Sequence, residues 1–217
     1  MKFFLDTADL AEIEEAASWG VLAGVTTNPT LYARTGGKLA DFHNHIRRIC
    51  EIVDGPVSAE SVAMTRDEMI RDGRELAALA DNVVVKLPTM IEGLAATKQL
   101  AAEGIPVNMT LCFTVPQAIM AARAGARYIS PFVGRFDDIS EDGVALVAHI
   151  VKVYRTYGYK TQVLAASIRH TQHIIQCLDA GADVATCPLA AIEGLLRHPL
   201  TDSGLEKFLA DHARLNA

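Results

Sequence analysis

Eight short apolar runs recur along this chain, and longer stretches with apolar residues three and four apart separate them. The runs begin with KFFLD (2–6), GVTTN (24–28), VSAES (57–61) and VVVKL (83–87). They continue with PVNMTL (106–111), RYISPF (127–132), QVLAAS (162–167) and DVATCP (183–188). Runs of this length read as strands, whereas 65–81, 91–103, 114–124 and 170–180 carry helical periodicity. A strand that returns through a helix pairs in parallel with its neighbour, since an antiparallel return needs only a tight turn. Eight such units predict an α/β fold, a (β/α)8 TIM barrel forming a single domain over residues 1–217.

The breakers agree with that count. A-E-G-I-P (102–106), R-A-G-A-R (123–127) and D-A-G-A-D (179–183) each put glycine where a helix must stop before a strand. A doubly wound open sheet is the competing architecture. It calls for a glycine-rich phosphate loop after an early strand, and neither G-x-G-x-x-G nor a P-loop occurs. Residues 201–215 read as an extra amphipathic C-terminal helix. Its leucines and Phe208 need a surface to cover, which a neighbouring subunit would supply.

Composition narrows the class of partner. Half of the 217 residues are hydrophobic, enough for one substantial core, and the formal net charge is −6. That charge argues against nucleic acid or an anionic membrane as partner, while leaving room for a local basic pocket. Cys50, Cys112, Cys177 and Cys187 contain no C-x-x-C pair, as expected of reduced thiols in a cytoplasmic protein. Asp6 and Asp9 interrupt the apolar start, so no secretory signal is expected, and no run is long enough to span a membrane.

The strand ends carry the chemistry. In barrels of this kind the site is built at the C-terminal ends of the strands. Those ends hold Asp6, Thr26 and Asn28, Glu60, Lys86, Asn108 and Thr110, Ser130, and Ser167. Residues two apart share a strand face, so Thr26 with Asn28, Ser58 with Glu60, Asn108 with Thr110, and Ser130 with Phe132 are expected to point inward together. Lys86 follows three valines, and burial in an apolar wall favours the neutral amine that a Schiff base requires. A lone strand-end lysine would instead snorkel to solvent. Asp6 and Glu60 offer two carboxylates for proton transfer beside that amine. Asp6 also fits a helix cap, a role Asp9 can fill, and Glu60 also fits a rim salt bridge.

Arg135, Ser167 and Arg169 follow strands six and seven, where barrels often hold phosphate, although ordinary surface arginines would look the same. The pairs His43/His45 and His170/His173 lack a carboxylate in zinc-like spacing, so no metal is expected.

Several runs taken together are similar to one family. F-L-D-T-A-D (4–9), A-G-V-T-T-N-P-T (23–30), V-V-V-K-L-P (83–88), E-G-L-A-A (92–96), E-G-I-P-V-N-M-T (103–110) and L-A-A-S-I-R (164–169) resemble the short-chain transaldolase and fructose 6-phosphate aldolase family. The resemblance runs from residue 3 to about 210. It implies a class I aldolase-type barrel without cofactor, acting on sugar phosphates and assembled as a homo-oligomer, a pentamer or decamer. It implies Lys86 as the Schiff-base lysine, Asp6 as the acid/base at the cleaved bond, and Glu60 with Thr110 around a catalytic water. Asn28, Asn108 and Ser130 would bind the dihydroxyacetone hydroxyls, with Thr26 and Phe132 also lining the substrate. Arg135, Ser167 and Arg169 would take the phosphate.

Aldolase members of that family typically carry Gln, Ala and Tyr where this chain has Glu60, Ser130 and Phe132. All three positions here follow the transaldolase pattern. A tyrosine hydroxyl would help protonate a three-carbon enamine on Lys86, and Phe132 cannot do so. Two alternatives stay open: an aldolase that releases free dihydroxyacetone, and a non-catalytic sugar-phosphate-binding barrel that has no use for Lys86.

Overall fold

The strand that opens the chain also closes the sheet. In the computed structural model, which describes residues 1–215, β1 (Lys2–Asp6) pairs in parallel with β2 (Leu22–Thr26) on one side and with β8 (Val184–Cys187) on the other. Between them run β3 (Val57–Glu60), β4 (Val83–Pro88), β5 (Val107–Cys112), β6 (Tyr128–Pro131) and β7 (Gln162–Ala165). All eight are parallel and form a closed barrel in chain order. The expected (β/α)8 architecture is therefore the observed one.

The returns in the first half are α1 (Leu10–Ser18), α2 (Pro29–Arg34), α3 (Phe42–Ile52), α4 (Arg66–Ala77) and α5 (Ile91–Ala102). The second half has α6 (Val115–Ala124), α7 (Val133–Asp137), α8 (Gly143–Tyr157), α9 (Thr171–Asp179), α10 (Leu189–Glu193) and α11 (Pro199–Leu215). Asp9 caps α1, its carboxylate accepting from the Ala11 and Glu12 amides, so Asp6 is free of that task. The three glycines expected at helix ends, Gly104, Gly125 and Gly181, all have positive φ, as a left-handed terminus requires.

Among the boundaries that differ from expectation, two are set by a proline. Strand β2 covers 22–26 rather than 24–28, and Asn28 is the N-cap of α2, its side chain accepting from the Leu31 amide at 2.9 Å. Pro29 at the first helical position explains the shift, because its fixed φ favours helix over further extension. The C-terminal helix begins at Pro199 rather than 201 for the same reason. None of the residues of α11 is buried, and Leu205, Phe208 and Leu209 stand exposed on it. Residues 216 and 217 of the expected domain lie outside the described residues.

Strand parity divides the buried residues into two sets. Outward-facing Leu5, Val25, Val57, Val85, Val107, Ile129 and Val163 pack against the helices in one large core. Inward-facing Phe4, Val84, Tyr128, Leu164 and Val184 form a second cluster that plugs the barrel. Phe4 and Tyr128 meet edge to face, with centroids 6.0 Å apart. Gly24 makes this plug possible, since a Cβ there would sit 2.7 Å from the Phe4 ring. The plug gives the polar residues above it a dry floor.

Candidate active site

Above the plug, the inward positions turn polar on strand after strand and surround one cavity of about 450 Å3. Lys86 rises from β4, and its register partner on β3 is Glu60. Lys86 is 5% exposed, and Nζ lies 3.0 Å from Glu60 Oε2 while donating to the Thr27 carbonyl at 3.1 Å. A lysine that snorkels would direct its amine outward to solvent. Here the amine is held inside the mouth by a carboxylate and a carbonyl.

Asp6 enters the same cavity from β1. The Thr26 hydroxyl donates to Asp6 Oδ1 at 2.7 Å and contacts Thr186 Oγ1 at 2.6 Å, so β1, β2 and β8 jointly fix this carboxylate. Burial pushes the Asp6 carboxyl above the usual carboxylate range, against the opposing pull of the Lys86 ammonium and the Thr26 hydrogen bond. A carboxylate with raised proton affinity beside an amine suits general acid–base chemistry.

Thr110 lines the cavity from β5, and its buried hydroxyl has no hydrogen-bond partner among the described residues. Such a group is ready to bind a reactant. Leu111, which follows it, and Ser167 both have positive φ, 56° and 58°. Left-handed backbone is costly for leucine and serine, and two such residues border one cavity.

Most residues expected in the site line this cavity: Asp6, Thr26, Asn28, Glu60, Lys86, Thr110, Ser130, Phe132, Arg135 and Ser167. Two do not. Asn108 is wholly buried, donating to Ser58 Oγ at 3.1 Å and accepting from Ser130 Oγ at 2.7 Å. It holds Ser130 rather than facing the opening. Arg169 points away to Asp138, with two contacts of 2.6 and 2.7 Å to the two carboxylate oxygens. Arg34 of α2 and Thr186 of β8, neither expected from the sequence, also line the cavity.

Beside Arg169, Asp137, His170 and His173 converge, bringing a carboxylate from α7 to the helix-start histidine pair. No sequence spacing signalled that approach. His173 Nε2 lies 3.0 Å from Asp137 Oδ2, while the buried Nδ1 has no hydrogen-bond partner among the described residues. A metal on Nε2 would place the ring proton on that partnerless Nδ1, a poor fit to a ligand's usual supporting hydrogen bond. Burial and the neighbouring His170 lower the His173 pKa, with Asp137 opposing them. The cluster reads instead as a clamp: with Asp138–Arg169 it ties α7, which carries Arg135, to the start of α9.

The profile of the transaldolase/fructose-6-phosphate aldolase family matches residues 3–217. The chain belongs to that family. It is 61% identical to a probable transaldolase of Porphyromonas gingivalis, over all of this chain and 99% of the relative. It is 59% identical to a probable transaldolase of Bacteroides thetaiotaomicron, over the full length of both. Among solved structures, thiamine phosphate pyrophosphorylase from Pyrococcus furiosus aligns with a TM-score of 0.61 at 16% identity, covering 89% of this chain and 87% of that one. That likeness concerns the barrel alone. In this family member, then, a buried lysine–carboxylate pair and a second carboxylate meet at the mouth of a barrel. No helix among the described residues is long and apolar enough to cross a membrane.

Proposed function

We propose that the protein is a transaldolase, moving a three-carbon dihydroxyacetone unit from a ketose phosphate to an aldose phosphate through a Schiff base on Lys86. The observation that carries this reading is the amine of Lys86 held at the cavity between Glu60 and the Thr27 carbonyl, with Asp6 in the same cavity. Glu60 accepts a proton from the ammonium, and the freed amine attacks the keto carbon of fructose 6-phosphate or sedoheptulose 7-phosphate. Proton transfer through Glu60, Thr110 and a water expels the former carbonyl oxygen as water, leaving a protonated imine. Asp6 takes the proton of the C4 hydroxyl, the C3–C4 bond breaks, and its electron pair moves into the imine. The products are an aldose phosphate and an enamine on Lys86, which then attacks the carbonyl carbon of a second aldose phosphate. The protonated imine is the electron sink, so the sequence of steps uses no metal or organic cofactor.

Phe132 favours transfer over release. Its ring lies against Phe113, with centroids 5.6 Å apart, and presents no proton donor to the enamine. A fructose 6-phosphate aldolase that frees dihydroxyacetone is the second reading. A coupled assay for free dihydroxyacetone separates the two. The Lys86 assignment is tested by borohydride reduction in the presence of fructose 6-phosphate, followed by peptide mass mapping. A sugar adduct on Lys86 is the expected result, and an adduct on another lysine overturns it.

The same reading makes the protein a cytoplasmic enzyme of the pentose phosphate pathway. Its four free cysteines, three of them buried, suit a reducing compartment. The exposed leucines and Phe208 of α11 favour a homo-oligomer, pentamer or decamer, in which that helix covers a neighbouring copy.

A further inference from the structure

The charges of the cavity do not balance within the chain. Lys86, Arg34 and Arg135 supply three cations to its lining, against the two carboxylates Asp6 and Glu60. Lys86 and Glu60 are paired. Arg34, the last residue of α2, and Arg135, on α7, have no hydrogen bond or ion pair through their side chains among the described residues. Arg169 is in the opposite condition, its guanidinium taken up by both oxygens of Asp138. Guanidinium groups left unpaired around a concave polar site match a phosphate ester in both charge and hydrogen-bond geometry. A phosphate monoester carries nearly two negative charges at neutral pH, more than Arg135 alone offsets.

Resting on the transaldolase reading, we propose that Arg34 is a specificity-determining residue: with Arg135 it engages the phosphate end of the aldose phosphate. The two arginines come from the β2 and β6 sides of the barrel, four strands apart, yet both border one continuous cavity of about 450 Å3. Both therefore border the space that a sugar phosphate would fill. Arg34 also lies close enough to Asp6 to stabilise its carboxylate, so the phosphate role has to be separated from an effect on that group.

The test compares Arg34→Gln and Arg34→Lys with the wild type, using erythrose 4-phosphate and free erythrose as acceptors. In Arg34→Gln, kcat/KM for the phosphorylated acceptor should fall about tenfold to a hundredfold further than that for free erythrose. Arg34→Lys should recover part of the loss, because it keeps the charge without the fork. Inorganic phosphate, titrated calorimetrically, should bind the wild type more tightly than Arg34→Gln. Equal losses with both acceptors would assign Arg34 to Asp6 or to the fold, and an unchanged ratio would remove it from the phosphate site; either overturns the proposal. Borohydride trapping with unphosphorylated dihydroxyacetone judges the Schiff base separately. If the wild type fails to trap, the transaldolase reading falls, while the phosphate titration still decides for or against Arg34.

Discussion

Replacing Lys86 with Met removes the amine while keeping an unbranched side chain of similar length, so loss of chemistry and loss of structure can be separated. Lys86 Nζ sits 3.0 Å from Glu60 Oε2. Two unit charges at that distance attract by about 5.5 kcal/mol at an effective dielectric of about 20. Most of this offsets the desolvation of the two groups, and the larger effect of deleting one partner is the charge left behind, about 3–5 kcal/mol for a fully buried pair. The Glu60 side chain is 16% exposed, which lowers the expected loss below that range, to about 2–3 kcal/mol. For a chain of this size that lowers Tm by about 4–12 °C. Adding Glu60→Gln removes the stranded charge and should restore about 1–2 kcal/mol. The assay is a set of thermal melts of wild type, both single variants and the double variant at one protein concentration, with trapping and transfer rates on the same samples. The Met variants should neither trap sugar nor turn over. Trapped sugar on Lys98, persistent turnover, or single-variant losses that add within about 0.5 kcal/mol would refute the reasoning.

Four further outcomes are expected. Asp6→Asn should abolish transfer yet gain stability relative to the wild type as pH rises. Burial raises the folded-state pKa of Asp6 above its ordinary 3.8, so wild-type stability falls from that pH up through the raised value, and the variant lacks the decline; denaturant melts at pH 3.5 and 8 check the sign. Phe132→Tyr should raise release of dihydroxyacetone relative to transfer, since a shift of 1.4 kcal/mol between the competing barriers changes the partition about tenfold; product rates with and without erythrose 4-phosphate measure it. Gly134→Ala should cost about 1–3 kcal/mol and weaken phosphorylated substrates, because its Cβ would press on the Ser167 carbonyl and lie 2.7 Å from Arg169 Nε beside Arg135; melts and KM values test both halves. Incubation with EDTA should leave transfer unchanged, and a loss restored by zinc would instead implicate Asp137, His170 and His173.

The barrel and most of its polar mouth were legible because strand parity is a local property. Asp6, Glu60, Lys86, Thr110 and Ser130 stand on the inward phase of their strands, and that phase survives small errors in strand limits. Parity reports the face of a strand but not the depth along it, which is why it does not separate the fully buried Asn108 from the residues that line the cavity. Helix-borne groups obey no such rule. Whether Arg34 reaches the mouth depends on where α2 starts and how it lies. The start was readable in Asn28-Pro29, a cap followed by a first-turn proline, whereas the lie was not. Arg169 and Asp138 are 31 positions apart, and nothing in either neighbourhood announces that they will pair.

The seam between β1 and β8 sets the order in which the site comes into being. Lys2 pairs with Val184 and Leu5 with Cys187, so during synthesis the barrel's first strand waits for its last. At about 5–20 residues per second, that wait is roughly 10–40 s, during which one edge of β1 has no partner. Thr186, which meets Thr26 beside Asp6, arrives in the same final strand. A nascent chain arrested before residue 184 can therefore present Lys86 while lacking the wall that steadies Asp6. Closing the barrel and completing the proton-transfer geometry are one event.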